Sequence, residues 1–194
     1  MLARDSYSEI DVNLQHHRAD HHRRYRRLYN APMGLLYTFT SVTKSDLPLL
    51  EAWLHSPELV AWWGDPVTQA QLLRTDIDEP RMRMELVLFK GRAFAYAQSY
   101  EVHAWPQPHL EHLPAGSRAI DTFIGDARMI GRGHGSAYLR VLALQMLAEG
   151  APMVAIDPAA ANLRAIRAYT KAGFRIDSQF VSHEGAGVLM LFHD

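Results

Sequence analysis

The chain has no cysteine, which rules out disulfides, thiolate metal ligands and a cysteine nucleophile together. It has almost no net charge, with 20 Lys and Arg against 21 Asp and Glu. Nothing therefore attracts it in a general way to nucleic acid or to an anionic membrane surface. No apolar run approaches the roughly 20 residues that a bilayer span needs. The N-terminus lacks the charged-then-apolar pattern of a secretory leader, and no internal repeat is visible. These absences leave an expected cytoplasmic protein without membrane or nucleic-acid partners. Its 194 residues, 48% of them hydrophobic, suffice for one domain with a substantial core.

Residues 1–34 stand apart. Apolar periodicity is poor there, and His16, His17, His21 and His22 interleave with Arg18, Arg23, Arg24, Arg26 and Arg27. The segment reads as an extension outside the core, as a basic arm for an acidic partner, or as a metal-binding histidine cluster. His17 and His21 are spaced for one helical face. No carboxylate or further histidine is placed to complete a metal site, so no metal is expected. The expected division is a basic, histidine-rich extension over 1–34 and a folded domain over 35–194.

From Tyr37 the pattern becomes regular. Residues 37–42 alternate like a strand. Thr43 stands at an N-cap position with Asp46 three residues on, ahead of Leu47, Leu50 and Leu54 on one helical face. Ser56-Pro57 and Asp65-Pro66 each start a further helix with proline in the first turn. The first runs through Trp63, and the second ends before Glu79-Pro80. Strands are predicted over 84–89 and 93–101, joined at Lys90-Gly91, a hairpin signal. Residues 102–117 read as a polar loop and 118–125 as a strand. Next come a helix over 135–149, a buried strand over 154–157 and a helix over 162–172. Two strands, 174–182 and 188–192, close the chain as a hairpin around Glu184-Gly185. This alternation predicts an α/β fold with a mixed sheet covered by helices.

The most informative stretch is Ile130-Gly-Arg-Gly-His-Gly-Ser136, a glycine-rich turn between a strand and a helix. Glycines at 131, 133 and 135 leave backbone amides unshielded at a helix N-terminus. Such amides, with the helix dipole, form an anion site that suits phosphate. Downstream, Asn162 and Tyr169 lie seven residues apart, two helical turns, so they are predicted to project from one face.

Glycine loop, helix, strand and the Asn162…Tyr169…Ala172-Gly173-Phe174 helix, in this order, resemble the GNAT acyltransferases. The resemblance runs from about Leu36 to the C-terminus and implies the GNAT fold, a mixed and largely antiparallel sheet flanked by helices. It implies acetyl-coenzyme A as co-substrate, its pyrophosphate cradled by Gly131, Arg132, Gly133, His134, Gly135 and Ser136. Ile130 departs from the family, which usually has Gln or Arg there. Amides near Phe123 and Ile124 would polarise the thioester carbonyl. Asn162 and Tyr169 would line the pantetheine arm, with Tyr169 protonating the departing thiolate.

Arg118-Ala-Ile-Asp121-Thr-Phe-Ile-Gly125 resembles a strand of the aminoglycoside 6′-N-acetyltransferases, which carry an Asp at this place. Asp121 would orient the acceptor ammonium and take up its proton. Trp62, Trp63 and Tyr100 complete the acceptor residues that the resemblance suggests, and Glu111, the one carboxylate of the loop that follows, is added to them as an acceptor contact. The related siderophore-type lysine acyltransferases commonly have a histidine in this strand, absent here. Where the aminoglycoside branch has an acidic, tryptophan-containing loop, this chain has His103, Trp105, His109, Glu111 and His112. The expected activity is acetyl transfer from acetyl-coenzyme A to a primary amine of a small molecule, in the manner of an aminoglycoside 6′-N-acetyltransferase, by a monomer or homodimer. The alternatives are acyl transfer to a lysine or hydroxylysine side chain in siderophore assembly, and a non-enzymatic acyl-coenzyme A-binding module.

Overall fold

The computed structural model of the chain describes residues 36–183 and 185–194. The 1–34 segment lies outside the described residues, and with it the metal and partner-arm readings of its histidines and arginines. Seven strands form one sheet in the order β1-β2-β3-β4-β5-β7-β6. Strands β1 (Tyr37–Ser41), β2 (Arg83–Phe89), β3 (Arg92–Glu101) and β4 (Arg118–Ile124) pair antiparallel in succession. β4 then meets β5 (Val154–Ile156) in parallel, and β5 runs antiparallel to β7 (Gly185–Phe192). β6 (Phe174–Ser182) pairs with β7 at the far edge. The mixed sheet is the one the sequence predicts.

Three helices separate β1 from β2: α1 (Leu47–Leu54), α2 (Pro57–Trp63) and α3 (Pro66–Asp76). α4 (His134–Ala148) connects β4 to β5, and α5 (Leu163–Ala172) connects β5 to β6. The Thr43 signal is used one step differently from expectation. The Asp46 carboxylate accepts from the Thr43 amide at 2.8 Å and from its hydroxyl at 2.7 Å. Those bonds close a short 3-10 turn, Lys44–Asp46, before α1 begins at Leu47. Asp65 caps α3 directly, accepting from the Thr68 amide at 2.8 Å. Lys90 and Gly91 both take positive φ, 51° and 77°, as a two-residue hairpin turn requires.

Helices α1–α3 pack Leu50, Leu54, Leu59 and Leu73 against Met84, Leu86, Tyr96 and Phe123 of the sheet. A second cluster joins Tyr100, Ala119, Ala155, Leu189 and Leu191 to Val102, Leu110 and Leu113. The 102–117 segment is thus more than the polar loop the sequence suggests. Its prolines deny it regular structure, but Val102, Leu110 and Leu113 are 1%, 0% and 4% exposed and anchor it. On the other side of the sheet, α4 buries Tyr138, Leu139, Leu142, Ala143 and Met146.

One irregularity positions the site. β4 and β5 pair only at Arg118↔Val154 and Ala119↔Ala155; beyond Ala119 they diverge. Successive amides of a strand point to opposite edges. The Arg118 amide donates toward β5, to Met153 O, and the Gly125 amide donates toward β3, to Phe94 O. The amides of Ile120, Thr122 and Ile124 therefore face the gap, and those of Asp121 and Phe123 face β3. Of the two amides expected to polarise a carbonyl there, only that of Ile124 is turned to the gap. The correction for Phe123 is that its amide belongs to the β3 ladder.

Candidate active site

The glycine loop builds one wall of a cleft of about 410 Å³. Gly131 and Gly133 take positive φ, 75° and 84°, and Gly133 is the N-cap of α4. The first amide of this stretch to find a backbone acceptor is that of Ala137, which donates to Gly133 O at 3.2 Å. The amides of residues 131–136 have no protein acceptor among the described residues, so the loop presents a row of donors at a helix N-terminus. Two side chains expected to contact the cofactor are committed elsewhere. The Ser136 hydroxyl donates back to Gly133 O at 3.0 Å. His134 turns inward: its Nδ1 meets the Tyr37 hydroxyl at 2.8 Å, and its ring packs on Phe89 at 4.6 Å. Burial and neighbouring Arg132 hold the His134 imidazole below its usual pKa. Both residues keep their amides for an anion. Arg132 is exposed beside them.

Facing the loop across the cleft are Arg164, Arg167 and Lys171 of α5. None has a carboxylate partner among the described residues. These cations belong to no motif of the sequence, although their spacing of three and four residues puts them on one helical face. Together with the open amides they make this cleft suited to a polyanion such as a coenzyme A pyrophosphate.

Asn162 and Tyr169 both line the cleft. Asn162 does so as the N-cap of α5 and not from within the helix: its Oδ1 accepts from the Ala165 amide at 3.1 Å. Tyr169 is half-buried, and no residue among those described engages its hydroxyl. Burial, then the neighbouring Tyr138, Asp121 and Asp157, push its phenol well above the ordinary value of 10.0.

Asp121 lies mid-sheet, flanked by β3 and the gap. Thr122 bonds the Tyr138 hydroxyl of α4 at 2.7 Å, so alternation turns Asp121 to the opposite face. Gln98 Nε2 donates to Asp121 Oδ2 at 2.9 Å, and the Tyr96 hydroxyl donates to Gln98 Oε1 at 2.7 Å. Tyr96 is buried, and burial with the charges of Asp121 and Asp76 keeps its phenol protonated. That donor fixes which end of the Gln98 amide points at Asp121.

Trp62 and Trp63 line the cleft in different ways. Trp62 is 42% exposed at the rim, whereas Trp63 stands edge-on to Phe123, centroids 4.7 Å apart. Tyr100, expected at the acceptor, is 5% exposed. Its hydroxyl accepts from Gln107 at 3.0 Å and its ring packs on Trp105, so it anchors the 102–117 segment. Glu111 is exposed and has no hydrogen bond or ion pair among the described residues. A carboxylate not expected from the sequence, Asp157, follows β5 at the gap. Among the described residues, no cluster of three or more His, Asp and Glu could hold a metal, and no helix is long and apolar enough to cross a membrane.

Known proteins are similar to this chain in sequence and in fold. The family model described as an acetyltransferase (GNAT) domain matches residues 42–181. The aminoglycoside N(6′)-acetyltransferase type 1 of Klebsiella pneumoniae is 30% identical over 167 residues, 79% of this chain and 81% of that protein. A solved structure of the aminoglycoside acetyltransferase AAC(6′)-Ib with coenzyme A and kanamycin superimposes with a TM-score of 0.71 at 29% identity, covering 80% of this chain and 93% of that one. The aminoglycoside N(6′)-acetyltransferase of Legionella pneumophila gives 0.69 at 25% identity, over 80% and 91%. The chain belongs to the GNAT acetyltransferase family.

Proposed function

We propose that this acetyltransferase moves the acetyl group of acetyl-coenzyme A to a primary amine of an aminoglycoside-type acceptor, at the 6′ position, and that residues 35–194 form the domain that does so. The divergence of β4 from β5 carries this reading. It opens the sheet beside a polyanion cleft, with Tyr169 on the cleft side and Asp121 on the other face. The coenzyme's phosphates lie against the amides of residues 131–136 and the cations of α5. The thioester carbonyl lies along the free edge of β4, where the Ile124 amide donates to its oxygen. The acceptor's ammonium gives a proton to Asp121, directly or through water. The freed lone pair forms the new C–N bond as the C–S bond breaks; Tyr169 gives its proton to the thiolate and is restored through water by the second proton that the acylated nitrogen sheds. Trp62 offers an exposed ring at the rim for the acceptor.

Acetyl-coenzyme A turnover with kanamycin, spermidine and hydroxylysine, followed by mapping of the acetylated nitrogen, tests the assignment. Acetylation of the kanamycin 6′-amine is expected; turnover of hydroxylysine alone would replace this acceptor class by the second. One observation favours that second reading. Glu111 is the sole acid of the 102–117 segment, a thin complement for a polycation.

A further inference from the structure

The carboxylate across the gap from Asp121 is held by a histidine. β4 and β5 last pair at Ala119↔Ala155. Two residues further stand Asp121, within β4, and Asp157, the first residue after β5. Alternation puts the Asp121 carboxylate on the face of Ala119, the face covered by the 102–117 segment, and its contact with a histidine of that segment puts the Asp157 carboxylate there too. From that segment His109 reaches Asp157, Nε2 to Oδ2 at 2.7 Å, with the two side chains 12% and 19% exposed. A carboxylate can only accept, so Nε2 carries the proton and donates it. The imidazole lies flat on the Phe180 ring, centroids 3.8 Å apart and planes 5° apart, which fixes the direction of its N–H. The adjoining Leu110 is fully buried and pins the backbone.

We propose that His109 is a positioning residue for the amine acceptor and acts through Asp157. It fixes the carboxylate that meets the acceptor ammonium from the β5 side, as Gln98 fixes Asp121 from the β3 side. Its bond occupies Oδ2 and leaves Oδ1 for the acceptor. The proposal rests on reading this face as the acceptor side of an amine acetyltransferase.

Steady-state kinetics with kanamycin test it. His109→Ala raises the KM for kanamycin about tenfold or more, the loss of a hydrogen bond to a charged group, and leaves the KM for acetyl-coenzyme A unchanged. His109→Gln keeps an N–H donor near the same place and recovers most of the loss. In an Asp157→Leu background, which removes the acceptor atom, the effect of His109→Ala disappears, because the residue acts through that carboxylate. Equal losses for both substrates, or additivity with Asp157→Leu, overturn the proposal. The pair is also read without an acceptor: 15N-histidine NMR shows a downfield ring N–H proton of His109 that Asp157→Leu abolishes. Its absence from the wild type overturns the proposal as well. A wild type that leaves kanamycin untouched removes the aminoglycoside reading instead; the same comparison then runs on spermidine or hydroxylysine, and the NMR result stands.

Discussion

A phenol that hands its proton to a departing thiolate must still hold that proton when the thiolate forms. Burial, and then the fields of Tyr138, Asp121 and Asp157, raise the Tyr169 phenol, so it stays neutral beyond its ordinary titration range. Ionisation of Tyr169 therefore leaves the alkaline limb of the rate profile untouched up to pH 10. Tyr169→Phe keeps the ring and lowers kcat by about 10²–10⁴-fold, with the calorimetric affinity for acetyl-coenzyme A unchanged; near-native turnover would remove Tyr169 from the chemistry. Asp121→Asn keeps the size and the Gln98 bond but loses the charge. It lowers kcat and weakens acceptor binding, most at low pH, where more of the acceptor arrives as ammonium. An unaltered pH–rate profile would sink that assignment. Both residues are visible in the sequence because each sits inside a motif of its own element. Gln98 and His109 are not. They meet Asp121 and Asp157 across 23 and 48 residues of chain, and only strand register and an anchored loop bring them there.

The glycine loop is suited to the proposed phosphate contact because α4 starts where the amides open. Gly133 at φ 84° has its missing side chain facing open space, with Lys171 Nζ 4.0 Å away. Gly133→Val strains this backbone and puts a branched side chain among the donors, so acetyl-coenzyme A binding by calorimetry falls steeply. Replacing Arg167 or Lys171 with Gln raises the KM for acetyl-coenzyme A by up to about fivefold, the range of one solvent-screened charge contact, and flattens its salt dependence. The approach to the loop is held by Asp126, which accepts from the Arg128 amide and guanidinium. That pairing lowers its carboxyl from the ordinary 3.8 to about 2. A lowered folded-state pKa contributes stability that is present above the unfolded value and lost as pH falls through the folded one. The melting-temperature gap between wild type and Asp126→Asn is therefore present at pH 5 and gone by about pH 2. A constant gap would mean that the pair is structural in some other way. The elements themselves were legible: proline starts, the Asn162 cap and Gly173 mark their ends in the sequence. The role of the α5 cations is not legible there, because a cationic stripe acquires a meaning only once the loop stands opposite it.

For the molecule as a whole, the proposed chemistry requires β4 to stay open along one edge while both of its faces stay packed. The sequence shows the strands and helices but not this gap, since nothing in β4 or β5 alone sets where their pairing stops. Two glycines that look alike in sequence divide the tasks. At Gly125, just past β4, an added Cβ would lie 1.9 Å from Trp53 Cδ2, and Trp53 is wedged edge-on against Phe123, centroids 6.3 Å apart. Alanine there must push α1 off the sheet, an overpacking worth about 1–3 kcal/mol. For a domain of this size that lowers the melting temperature by roughly 2–12 °C. At Gly135, in the first turn of α4, the nearest contact of an added Cβ is Ile124 Cδ1 at 3.5 Å, an ordinary packing distance. Alanine there keeps or slightly raises stability, since it is the better helix former by about 1 kcal/mol. Its methyl group would nevertheless stand in the cleft that Gly135 lines. Calorimetry on the two variants should therefore give opposite patterns. Gly125→Ala loses melting temperature first, and Gly135→Ala loses acetyl-coenzyme A affinity at full stability. A Gly125→Ala protein that melts with the wild type would show that the β4 terminus is not wedged by Trp53. A Gly135→Ala protein with native affinity would take that glycine out of the coenzyme cleft.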